Sequence, residues 1–122
     1  MVSQSRAKKI AIRIQETLAQ LLKREVSDPR LQDITITDLE VDRELAYATI
    51  YITAGEDADR VEIMQTLQGA KGFLRSELSS QIELRSFPQL RFEWDDSIER
   101  GNRIDILLDQ IHKGDSLAGD KE

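Results

Sequence analysis

The apolar residues of this chain change their spacing four times, and few folds accommodate that order of periods. In residues 5–26, Ile10, Ile14, Leu18, Leu21 and Leu22 fall on one stripe with Ala7 and Ala11, the period of an amphipathic helix. Ser5 is placed to cap it. Ser27-Asp28-Pro29-Arg30 stops it, because a residue before proline is pushed out of the α region. The period then drops to two. Residues 34–41 begin as Ile34-Thr35-Ile36-Thr37 and slip in phase to Leu39 and Val41, the mark of a bulge. Residues 45–53 alternate: Ala46, Ala48, Ile50 and Ile52 share one face, and Leu45, Tyr47, Thr49 and Tyr51 the other. The short link Asp42-Arg43-Glu44 makes the two strands an antiparallel hairpin, and the alanines imply that a helix comes close on their face.

Helical spacing returns after a polar loop, in which Asp57 or Asp59 can cap the next helix. Val61, Ile63, Met64 and Leu67 give that helix an apolar side, and Phe73, Leu74, Leu78 and Ile82 continue it. Gly69-Ala70-Lys71-Gly72 sits between the two stretches. A third strand follows at 90–95, with Leu90, Phe92 and Trp94 on one face. Asp96-Ser97-Ile98-Glu99 reads as a capping box for a last helix through Ile104, Leu107, Leu108 and Ile111. Residues 113–122 have little to bury and read as a disordered tail. The order is α-β-β-α-turn-α-β-α: an α+β domain over residues 1–112, with a three-stranded sheet packed on helices.

A G-x-x-G between two helices is how KH-type modules clamp a nucleic-acid backbone. Glycines allow a sharp turn and a close approach of the sugar-phosphate strand, and Lys71 adds charge there. The other reading is a bent helix, with the small residues serving only the bend. The net charge of −6 runs against a nucleic-acid ligand, but its distribution does not. Residues 1–30 carry seven Lys/Arg against three Asp/Glu, and residues 67–91 four against two. Residues 31–66 carry two against nine, and residues 92–122 four against nine. Two basic segments with acidic regions between suit selective docking on a shaped RNA. On the first helix, Arg6, Lys9, Arg13, Lys23 and Arg24 share a stripe beside the apolar one.

Catalysis has little to work with. There is no cysteine, and the one histidine, His112, lies beside the tail. No His pair or H-E-x-x-H offers a metal site, and no Walker-type loop precedes a helix. Asp95-Asp96 are adjacent on a strand and point to opposite faces, so they suit a cap better than a cation. Hence no cofactor, no metal and no small-molecule substrate are expected. No apolar run is long enough to span a membrane, and the polar, basic N-terminus lacks a signal-peptide core, so a cytoplasmic protein is expected. Tyr47 and Tyr51 share a strand face, where they could stack on bases or meet a protein.

Several segments together resemble one family. They are Glu25-Val26-Ser27-Asp28-Pro29-Arg30-Leu31, the strand pair Ile34–Thr37 and Ala46–Ile52, Leu67–Leu78 around Gly69-Ala70-Lys71-Gly72, Pro88–Phe92 and Asp95–Glu99. In this order and spacing the chain is similar to bacterial ribosome-binding factor A over residues 5–112. The resemblance implies a type II KH-like fold in which Ala70-Lys71-Gly72 is a helix kink, with Gly69 completing a literal G-x-x-G. It implies a non-enzymatic assembly factor that binds the small (30S) ribosomal subunit and supports late 16S rRNA maturation, processing and growth in the cold. It would be a monomer off the ribosome. On that reading Arg6, Lys9, Arg13, Lys23, Lys71, Arg75, Arg85 and Arg91 contact phosphates, which position the protein without reading sequence. Asp28 and Arg30 fix the exit of the first helix. A KH-like protein-interaction module without direct RNA binding is the alternative. An RNA-acting enzyme would need clustered carboxylates and a divalent metal.

Overall fold

The computed structural model describes residues 1–24 and 28–97. Helix α1 runs Gln4–Arg24 and a short 3-10 turn covers Pro29–Leu31. Strands β1 (Thr35–Val41) and β2 (Tyr47–Thr53) follow, then helix α2 (Arg60–Gln81) and strand β3 (Gln89–Trp94). The last helix and the tail expected from the sequence lie outside the described residues.

The sheet is mixed, in the order β1-β2-β3. β1 and β2 are the antiparallel hairpin, and the slip in phase is a bulge between Ile36 and Asp38. β3 lies parallel to β2, with Thr49 beside Arg91 and Ile50 beside Phe92. Parallel neighbours need a long crossover, and α2 provides it. Leu39, Ala48, Ile50, Ile52, Leu90 and Phe92 point into one core with Ile14, Leu18, Leu67, Leu74 and Leu78. Both helices therefore cover the same face of the sheet, α1 over β1 and α2 over β3.

The predicted stripe of α1 is buried throughout: Ala7, Ile10, Ala11, Ile14, Leu18, Leu21 and Leu22. Its cap is Ser3, not Ser5; the Ser3 hydroxyl accepts the Arg6 N–H at 3.0 Å. Asp28 is extended (φ −73°, ψ 117°), as the following proline requires, and its carboxylate accepts the Arg30 N–H. Strand β2 starts two residues later than its alternation indicates. Leu45 takes a left-handed φ of 57°, which resets the phase and leaves Ala46 exposed. Asp42 organises this turn, its Oδ1 accepting the N–H groups of Ala46 and Tyr47 at 2.8 and 2.9 Å.

The largest departure is in the second helical region. The expected helix–turn–helix is a single unbroken α-helix, capped by Asp59 and ending at Ile82. No glycine among the described residues takes a positive φ, so Gly69 and Gly72 make no turn. One stripe of Ile63, Leu67, Leu74 and Leu78 anchors both halves to the sheet, and this packing outweighs the helix-weakening glycines. Val61 and Phe73, counted from sequence with the apolar side, lie off that stripe and are 65% and 49% exposed.

Candidate nucleic-acid interface

The basic residues of α1 and the sheet's polar face are separated by the core. Arg6, Lys9 and Arg13 form an exposed flank of α1, on the side that meets α2. Arg13 marks the junction: its Nη2 donates to the Gln81 carbonyl at 3.3 Å. That carbonyl belongs to the last turn of α2, where backbone oxygens lack helical partners and attract cations. The linker carrying Arg85 leaves α2 at this point, and Arg85 is exposed. Thus Arg13 touches the end of α2, Arg6 and Lys9 share its flank of α1, and Arg85 follows four residues after Gln81. Lys23 is exposed in the last turn of α1, about 20 Å along the axis from Lys9 at 1.5 Å per residue.

The other nominated cations are placed differently. Arg75 is partly buried and turned inward, its Nη2 donating to the Phe87 carbonyl at 2.6 Å and its Nε to the Pro88 carbonyl at 3.0 Å. It ties the linker to α2. Lys71 is half-buried on α2. Arg91 points to the side of the sheet away from the helices and lies over the Tyr47 ring, 3.9 Å from its centroid. Of the glycine element, Ala70 packs against the core, whereas Gly69 and Gly72 are exposed. A Cβ built at either glycine meets nothing within 4 Å, so neither is required by packing among the described residues. An open clamp loop is not present.

The face of the sheet opposite α1 and α2 is acidic. Tyr51 sits among Glu40, Glu93 and Asp38; burial first, then these carboxylates, push its hydroxyl pKa up. Its hydroxyl donates to Glu40 at 3.3 Å, and Thr37 donates to Asp95. Two roles could not be seen in the sequence. Arg75 as a linker tie needs a partner twelve residues away, and the Arg91–Tyr47 stack needs the parallel pairing of β3 with β2. By contrast, the Asp28–Arg30 pair is local: two carboxylate oxygens hold the guanidinium, and this bonding holds the Asp28 carboxyl down to about 2. Among the described residues no group of three or more His, Cys, Asp or Glu side chains is placed to hold a metal ion. No helix among them is long and apolar enough to cross a membrane.

Comparison with known proteins gives a consistent result. The family model described as ribosome-binding factor A matches residues 6–108. The ribosome-binding factor A of Chromohalobacter salexigens is 45% identical over 108 residues, covering 86% of this chain and 82% of that protein. The crystal structure of ribosome-binding factor A from Thermus thermophilus superposes with a TM-score of 0.66 at 19% identity, covering 72% of this chain and 93% of that one. A homology model of the Thermus thermophilus factor, fitted into the electron cryomicroscopy map of a 30S–RbfA complex, superposes with a TM-score of 0.60 at 20% identity. It covers 70% of this chain and 91% of that one.

Proposed function

The chain belongs to the ribosome-binding factor A family, and we propose that it is a non-enzymatic assembly factor of the small (30S) ribosomal subunit. It binds the subunit late in assembly, supports maturation and processing of 16S rRNA, and sustains growth in the cold. The observation that carries this reading is the family match from residue 6 to residue 108, which spans both basic segments. It works in the cytoplasm, as a monomer off the ribosome, without a cofactor.

The fold is read as type II KH-like, a single domain over residues 1–112 with a tail at 113–122. Gly69, Ala70 and Gly72 then act as a kink in α2, a place where the helix yields or lets rRNA approach its backbone. Arg6, Lys9, Arg13 and Arg85 are the leading phosphate contacts, because they are exposed around one junction. Lys23 and Lys71 extend the contact along α1 and α2. Arg75 and Arg91 contribute only if rRNA displaces their present partners. Such contacts position the protein and leave sequence to the rRNA's shape.

Co-sedimentation of the purified chain with 30S subunits tests this. Lys9→Glu with Arg85→Glu is expected to release the chain from the subunit at moderate salt while leaving its thermal unfolding unchanged. Undiminished, salt-insensitive association of that variant would remove the phosphate role.

A further inference from the structure

We propose that the outer edge of β1 takes up an extended, basic peptide segment of a protein partner as an added strand. This goes beyond the reading of the chain as a subunit-binding factor and does not depend on it.

β1 is a terminal strand of the sheet, with no strand on its outer side among the described residues. An unpaired edge is a template for another chain. One residue of the N-terminal segment already bonds beside this edge. Just past its end, the Val2 N–H donates to the Arg43 carbonyl at 2.8 Å, and Arg43 Nε donates back to the Val2 carbonyl at 3.0 Å. Beyond Val2 the pairing stops, because the chain turns into α1. An open groove of about 740 Å³ continues along the edge.

The two sides of that groove differ in chemistry. Its helix wall is backed by Ala7 and Ala11, both buried, and presents Ile12, which is 57% exposed. On the sheet side Asp38, Glu40 and Asp42 recur at every second residue, so they share the face of the edge strand that points away from α1 and α2. A strand laid in the groove would send alternate side chains to these two sides, apolar ones toward Ile12 and basic ones toward the carboxylates. Three cations also line the groove, but not on the strand's row of carboxylates: Lys8 stands on the helix wall, Arg43 is held by Val2, and Arg91 is stacked on Tyr47.

Charge decides among occupants. A second copy pairing β1 with β1 would set carboxylates against carboxylates. RNA would bring phosphates to the same acids. A peptide with lysine or arginine at alternate positions complements the edge, and its main chain supplies the hydrogen bonds. One shield must open: the Leu39 N–H is taken by Asp38 Oδ1 at 2.8 Å, and the incoming carbonyl replaces that carboxylate.

The test is a titration of the full chain, followed by backbone amide NMR, with a short peptide alternating lysine and valine. Amide shifts are expected to concentrate at Leu39, Val41 and Arg43. The same peptide N-methylated at every second residue is expected to bind about tenfold more weakly, since it lacks the edge hydrogen bonds. Glu40→Gln, which keeps a hydrogen-bonding group for Tyr51, is expected to weaken binding about threefold at low salt. The proposal is overturned if the peptide leaves β1 amides unmoved, or if N-methylation changes nothing. It is equally overturned if oligouridylate shifts the same amides more strongly than the peptide.

Discussion

Arg75 shows how a residue's neighbours decide its use. On α2 it reads as a free cation beside Lys71, yet its guanidinium closes on the Phe87 and Pro88 carbonyls and holds the linker to β3. Arg75→Met is therefore expected to cost about 2 kcal/mol, the loss of two charge-assisted hydrogen bonds at a partly buried site, read by urea unfolding. A variant that keeps full stability but loses 30S binding would return Arg75 to the phosphate contacts. Asp28 offers a pH test. Its carboxyl is held at about 2 by the Arg30 guanidinium and backbone N–H. A carboxyl held low in the fold stabilises it fully above its ordinary value of 3.8 and loses that effect as pH falls through about 2. Carbon-13 titration of Asp28 is expected to give a midpoint near 2, moving up toward the ordinary carboxylate value in Arg30→Ala. An unmoved midpoint in that variant would show that Arg30 does not hold the carboxyl.

Helix α2 carries a sharper consequence. Gly69 and Gly72 lie inside a continuous helix, on its exposed side, with open space where a Cβ would go. Gly72→Ala should stabilise the free chain by about 0.5–1 kcal/mol, since alanine gains helix propensity without a clash. If the glycine serves close approach of rRNA, the same variant binds 30S subunits more weakly; a more stable chain that binds as before would deny it that role. This element was also the least legible in the sequence. Local rules weigh two glycines three residues apart as a break, whereas Leu67 and Leu74 on either side are both fully buried against the sheet and carry the helix through. The hairpin was more legible. The phase slip before Leu39 gave the bulge directly, because one extra residue moves every later side chain to the other face. The start of β2 is not legible in the sequence, because Leu45 takes a left-handed backbone that no propensity rule assigns to leucine. The basic flank of α1 was legible by helical spacing alone. Its closure onto the α2 terminus through Arg13 was not, since Gln81 is a contact between distant segments.

Across the whole molecule, α1 divides two surfaces. One flank, with Arg6, Lys9 and Arg13, meets the end of α2 and the Arg85 linker. The other, with Ala7, Ala11 and Ile12, walls the groove along the acidic edge of β1. An overall negative chain can thus face RNA on one side and repel it on the other, which restricts how it docks. Reversing Arg91, on the acidic side, is accordingly expected to change 30S affinity far less than reversing Lys9, in parallel co-sedimentation. Equal losses from both would mean that the subunit wraps both faces.

That the α1–linker junction holds rRNA phosphates is checked by the salt dependence of 30S binding. Replacing Arg6, Lys9 and Arg85 by glutamine should reduce the slope of log affinity against log salt by about two to three, close to one per lost phosphate contact. A slope unchanged from that of the parent chain would contradict it.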